Sequence, residues 1–280
     1  MKAKFKILSY YFSFFFLSIL VLILFLISLL ELTLLRPDYL MNHLEKNNYY
    51  QELYLSISDE MSNYIIQAGL EDSVLENIYT QEMVTKSVNS VIYAFYGNQE
   101  MKVNTSQVKK NLEDNIVSYL RKNNIEVTDQ EALDMFVDQM LDIYSEKIKL
   151  TSSLDSVKGL VHKWDFRLKV IFSGLVILVL FFGYIFHRTY KKSAFAVPCF
   201  TSSILLLLGD YLFFQRIDVA NILFWNESVS KIIKSVLFDL SNLIKVGGLL
   251  LIVVGLGAYL FAYILKQPMK QEKKIKIEIK

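Results

Sequence analysis

The sequence predicts an all-α polytopic membrane protein with four transmembrane helices and a helical-bundle extracytoplasmic domain between the first and the second. Three observations predict it. Four apolar runs, 7–30, 168–186, 194–214 and 246–265, each come close to the ~20 residues that a spanning helix needs. Only 10 Gly and 3 Pro occur in 280 residues, which favours long uninterrupted helices over turn-rich β structure. Mean hydropathy is +0.34 although an ordinary polar stretch separates the first two runs, so the apolar residues are concentrated rather than dispersed.

The run 7–30, ILSYYFSFFFLSILVLILFLISLL, has no charge, no Gly and no Pro. As a helix it measures roughly 36 Å, enough to cross a hydrocarbon core of ~30 Å with some tilt. Lys2, Lys4 and Lys6 precede it in a short N-terminal segment, 1–6. A cleaved signal peptide would have an apolar core of about 7–15 residues and a small-residue cleavage site. The run is longer and no such site follows, so it reads as an uncleaved signal anchor with its basic flank in the cytoplasm. The link 187–193, HRTYKKS, carries Arg188, Lys191 and Lys192 and no acid, and the tail 266–280 carries Lys266, Lys270, Lys273, Lys274, Lys276 and Lys280 against Glu272 and Glu278. With four spans all three basic segments fall on one side, which places both termini in the cytoplasm.

The opposite side then receives 31–167 and 215–245. Between Arg36 and Asp165 there are 12 Lys/Arg against 21 Asp/Glu, a balance of −9. Nucleic acid is not expected as a partner, because a phosphate footprint needs clustered Lys and Arg. The 31–167 segment has helical periodicity. Leu53, Ile57, Met61, Tyr64, Ile65 and Ala68 share one face, ended by Gly69. Thr80 caps a second helix bearing Met83, Val84, Val88, Val91, Ile92 and Phe95, stopped at Gly97-Asn98. Thr105 or Ser106 opens a third, with Val108, Leu112, Ile116, Val117, Tyr119 and Leu120. Thr128 to Glu131 forms a capping box ahead of Leu133, Phe136, Val137, Met140, Leu141, Tyr144 and Ile148. Four or five bundled helices are expected, the only extended residues falling in Ile125–Val127. In 215–245, Ile222, Trp225, Val229, Ile232, Ile233, Val236, Leu237, Leu240 and Ile244 line one face, opposite Asn226, Glu227, Ser230, Lys231, Lys234 and Asp239. This reads as an amphipathic helix at the outer interface or under the domain, with Trp164 and Trp225 at headgroup level.

Chemistry-bearing residues are sparse. His43, His162 and His187 share no helix turn, and the single cysteine, Cys199, excludes an intrachain disulfide or a Cys-based zinc site. No nucleophile elbow, Walker A or dinucleotide fingerprint is present, so no cofactor and no catalytic activity are expected. Asp134, Asp138 and Asp142, spaced by four, make an acidic stripe: a docking face for a basic partner, a weak cation site, or a solvated helix face. Asp210 is the only acid inside an apolar run. It reads as one end of an interfacial salt bridge to Arg216 or Lys245, or as a proton or ion relay. Thr201, Ser202 and Ser203 can bond helix to helix, and the glycines of 246–265 permit close approach. Asn104-Thr-Ser and Asn226-Glu-Ser match the glycosylation sequon.

A large outer segment after the first of four spans, with HRTYKKS between the second and third, resembles in span order the permease subunits of the FtsX and MacB class of ABC systems. That resemblance implies coupling to an ATPase through the cytoplasmic link, which here is too short for a coupling helix. Claudin-like proteins share the span order but carry paired outer cysteines. No residue roles are carried over from either. The expectation is a non-enzymatic envelope protein that contacts the lipid bilayer through its spans and binds or scaffolds a protein partner through its acidic domain. The alternative is an accessory or permease-like subunit of a transport or export system.

Overall fold

A computed structural model describes residues 2–125, 130–149, 153–190, 196–216 and 227–264. They form α1 (Lys2–Leu32), α2 (Pro37–Lys46), α3 (Tyr49–Gln67), a 3-10 turn (Asp72–Leu75), α4 (Gln81–Tyr96), α5 (Ser106–Lys122), α6 (Gln130–Ile148), α7 (Ser153–Tyr190), α8 (Ala196–Arg216) and α9 (Glu227–Ile264), with no strand among the described residues. The chain divides into two compact units: Thr33–Asp165, here the polar unit, and Met1–Leu32 with Phe166–Lys280, here the apolar unit. Thr128, Asp129, Glu126, Val127, Trp225 and the C-terminal tail, which carried expectations above, lie outside the described residues.

In the polar unit, one face of each helix is buried as its periodicity dictates. α3 buries Leu53, Ile57, Met61 and Ile65; α4 buries Val84, Val88, Val91 and Ile92; α5 buries Val108, Leu112 and Ile116; α6 buries Val137, Met140, Tyr144 and Ile148. α3 packs on α4 and α6, α5 packs on α6 and the 3-10 turn, and α2 packs on α3 and α4. The reading of α3 was too generous at its end, because Ala68 is the exposed C-cap and Tyr64 is only half buried, its ring 5.6 Å from that of Phe136. Val117 of α5 is likewise exposed.

Helix ends follow local chemistry. The Thr80 hydroxyl accepts from the Met83 N–H at 3.2 Å, satisfying one orphan donor of α4. Gly69 sits at φ 78°, where the N–H groups of Gly69 and Leu70 close on Ile66 and Ile65. Asn98 and Asn124 do the same after α4 and α5 at φ 55° and 54°, using a residue that tolerates the left-handed region. The irregular segment after the 3-10 turn is held by side-chain amides of α5. Asn115 donates to the carbonyls of Val74 and Glu76, at 2.9 and 2.7 Å, and Asn111 donates to Ile78 at 3.1 Å.

Among the described residues, four helical stretches are long and apolar enough to cross a membrane: Tyr10–Leu32, Val161–Phe186, Ala196–Phe214 and Glu227–Phe261. α8 packs between α1 and α9. α7 meets α1 through large side chains, with Leu17, Leu20, Val179 and Phe186 as the buried cluster and Phe16 5.5 Å from Phe182 ring to ring. The amphipathic stretch up to 245 and the apolar run from 246 share one continuous helix, Glu227–Ile264. No proline interrupts the periodicity there. The helix tolerates Gly247 and Gly248 because Phe25 and Leu207 pack into the space they leave. Ser230, assigned to the polar face, is 3 % exposed.

Two outcomes test this packing. A Cβ at Gly255 would stand 3.3 Å from the Ala196 carbonyl oxygen, the Cys199 Cβ and the Phe200 ring, whereas Gly257 faces open space. Gly255→Leu therefore costs about 1–3 kcal/mol by overpacking, and Gly257→Leu leaves thermal unfolding in detergent unchanged. In the polar unit, burial pushes the Tyr50 and Tyr79 phenols up to about 12 from 10.0, with nearby acidic groups adding to the effect. Between about pH 10 and about 12 the unfolded chain releases these protons and the folded chain keeps them, so stability present below pH 10 is lost as pH rises. Urea unfolding followed by circular dichroism should weaken across that window, and Tyr79→Phe should flatten part of the decline.

Candidate functional site

The apolar unit is joined by polar side chains in a seam along α8. Ser202 and Ser203 are fully buried. The Ser202 hydroxyl donates 2.7 Å to the Ser18 carbonyl of α1, and the Ser203 hydroxyl donates 2.7 Å to the Gly248 carbonyl of α9. Ser18 turns its own hydroxyl back to the Phe14 carbonyl at 2.8 Å. Buried hydroxyls without partners cost a few kcal/mol in apolar surroundings, and helix carbonyls can accept a second bond without breaking the backbone ladder. The glycine at 248 makes the second contact possible by letting the α8 hydroxyl reach the α9 backbone.

Two turns further along α8 stands Asp210. Its side chain is 4 % exposed, and its Oδ2 lies 3.6 Å from Nζ of Lys245, which is 54 % exposed. Oδ1 is buried and meets no hydrogen-bond donor. Lys245, one of the two cations expected as partners, thus faces Asp210; the side chain of the other, Arg216, lies outside the described residues. Cys199 is buried against Gly255. Thr201 is half buried, and Ser18 was not singled out because a serine in a run of Phe and Leu has no periodicity of its own.

The three remaining candidates lie in the polar unit and are not brought together with Asp210. Asp134, Asp138 and Asp142 are all exposed on α6. Asp138 takes an ion pair from Lys109 of α5 at 3.1 Å, and Gln130 donates to Asp134 at 3.0 Å. The hydrogen bond to Asp138, followed by the charge of that carboxylate, holds the Lys109 ammonium above its usual range. The stripe is thus countered from the neighbouring helix, and its exposure makes the pair weak. Among the described residues, no group of three or more His, Cys, Asp or Glu is placed to hold a metal ion. His43 is buried with its ring 4.7 Å from that of Tyr39, and His162 is exposed on α7.

The polar unit also has an open pocket of about 410 Å³, bordered by Lys86, Ser87 and Ser90 of α4, Lys102 and Asn104 of the following loop, and Ser106 of α5. Tyr144 of α6 also lines it, its hydroxyl 3.4 Å from that of Ser87. Lys86 and Lys102 are each paired with a nearby glutamate, Glu82 at 2.7 Å and Glu100 at 2.8 Å. The sequence offered no signal for this pocket, since the loop's return to the α4 face depends on tertiary packing.

Comparison with protein-family models, with curated proteins and with solved structures finds no match to this chain.

The Asp210–Lys245 pair gives a coupled test. Lys245→Met leaves a buried carboxylate without its counter-charge and should cost about 1–3 kcal/mol at neutral pH. Asp210→Asn removes the charge while keeping the shape and should cost less. The double variant should be no less stable than Lys245→Met alone, a non-additivity measurable by thermal unfolding in detergent.

Proposed function

We propose that this chain is a multi-pass protein of the cell membrane, with both termini in the cytoplasm. Its polar unit stands outside the cytoplasm and binds or scaffolds a protein partner, without catalysing a reaction. The observation that carries this reading is that Thr33–Asp165 is a compact unit with a core of its own, inserted between two helices long and apolar enough to span. A domain-sized, acidic, helical insertion is more than a connection between spans requires. The basic flanks of the apolar runs, set against the −9 balance of the insertion, support the orientation. Exposed apolar side chains on the polar unit, including Leu55 of α3, Ile66 of α3 and Met135 of α6, offer contact points for a partner. A second reading, an accessory subunit of a transport or export system, is favoured by one observation: the buried carboxyl of Asp210 within α8.

The test is photo-crosslinking in intact cells from a probe at Met135, with a probe at Val253 of α9 as the control that faces lipid. One recurrent protein captured at Met135 and not at Val253 supports the binding reading, and an ATPase among the captured proteins moves the assignment to transport. Labelling of an Asp142→Cys variant by a membrane-impermeant maleimide in intact cells is expected. Labelling only after lysis would overturn the orientation, and with it the outer docking role.

A further inference from the structure

On α4, Met83, Lys86, Ser87 and Ser90 recur at three and four positions, so one helix face presents an ammonium and two hydroxyls together. The loop after α4 brings Lys102 to the same cavity, and the first turn of α5 adds Ser106. One further lining residue, Tyr144, belongs to the fully buried core. None of the residues that border the cavity is acidic. That is a departure for a segment with 21 Asp/Glu against 12 Lys/Arg. The partners of the two lysines, Glu82 and Glu100, stand outside the lining, and all four side chains are 73 to 75 % exposed. Such pairs are weak and exchange readily. The end of α5 adds a partial positive charge, since its first turn holds no acid and Thr105 places no side chain on its N–H groups. At about 410 Å³ the cavity falls in the roughly 300–1,000 Å³ of small-molecule pockets, more than a bare ion fills.

We propose that this cavity binds a small organic phosphate, with the phosphate group shared between Lys86 and Lys102. A phosphate carries three strong acceptor oxygens and takes donors from several directions. Two lysines acting as point charges, with serine hydroxyls from two helices, supply donors of that kind. A planar carboxylate has two oxygens and would leave more of these donors to water. The ligand exchanges each lysine's single glutamate for a group that meets both lysines at once. The negative balance of the surrounding unit opposes an anion at long range, but salt at 0.1 M screens that field beyond about 10 Å while contact with the two ammoniums persists. Free phosphate esters and phospholipid headgroups both carry the group, and the assay separates them. It uses purified protein, so it does not depend on which side of a membrane the polar unit occupies.

The full-length protein in a nonionic detergent is acylated briefly with an amine-reactive ester, with and without glycerol 1-phosphate, and each lysine is read by peptide mass spectrometry. The rates at Lys86 and Lys102 should fall along one saturable curve, down about threefold when the ester stands at twice its Kd. Lys46 of α2 and Lys122 of α5, exposed and outside the cavity lining, should keep their rates. Sodium chloride at matched ionic strength should protect neither pocket lysine. Lys86→Gln should remove most of the protection at Lys102, and Lys102→Gln that at Lys86, because one ligand serves both. Both side chains are exposed, and circular dichroism reports that each variant folds. Protection in phosphatidylglycerol vesicles without added ester assigns the headgroup as the source, and protection by the free ester alone assigns a soluble one; either upholds the site. No protection by either probe overturns the proposal. So does equal slowing at all four lysines, equal slowing by chloride, or protection of Lys102 that persists unchanged in Lys86→Gln.

Discussion

Ser202 and Ser203 stand side by side on α8, and on a helix of 3.6 residues per turn consecutive side chains point about 100° apart. One hydroxyl therefore reaches α1 while the other reaches α9, and the central helix is fixed in register to both neighbours. The constraint is strict because neither hydroxyl has water as an alternative. Packing alone would let apolar helices slide past one another with little change in buried area. Two short hydrogen bonds to particular carbonyls, those of Ser18 and Gly248, specify one register. Everything else in the apolar unit sits around that register: Leu207 over Gly248, Phe25 over Gly247, Cys199 and Phe200 against Gly255, and Asp210 level with Lys245.

The polar unit relies on different devices for the same accounting of polar groups. Its core is aliphatic with a few tyrosines, and three of their hydroxyls reach polar side chains. Tyr50 donates to Asn89 at 2.6 Å, Tyr79 lies 3.0 Å from the Ser58 hydroxyl, and Tyr64 bonds Gln139. Asparagine closes helices and also holds loops, since Asn98 and Asn124 end α4 and α5 while Asn111 and Asn115 hold the backbone after the 3-10 turn. A chain with only 10 glycines can therefore make sharp helix ends without weakening the helices themselves.

Much of this was legible from the residues. Helix periods gave the buried faces of α3 to α6, Thr80 gave a cap, and Gly69 and Gly97-Asn98 gave stops, because these signals are local and chemical. Ser202, Ser203 and the glycines of the last run gave the polar contacts of α8, because polar atoms in an apolar run must find partners. What sequence spacing could not give was the geometry of the contacts: Lys245 opposite Asp210, and Ser18 beneath Ser202, depend on how three helices cross. The acidic stripe on α6 looked self-repelling in one dimension, yet Lys109 on α5 counters it in three. The change of composition at residue 245 leaves the helix unbroken, because composition changes do not end helices when the hydrogen-bond ladder continues.

The packing of α3 against α6 sets the order in which the polar unit can be completed. Most of its other contacts join neighbours in the chain, such as α2 with α3 and α3 with α4, and these can form as the chain is made. The face of α3 that carries Ile57, Met61 and Ile65 gains α6 as a cover only when residues 130–148 have emerged. Until then an apolar stripe waits beside a segment, α1, that is itself among the most apolar in the protein. Whatever shields that stripe before α6 is made must therefore act on a chain in which a long apolar helix has already been completed.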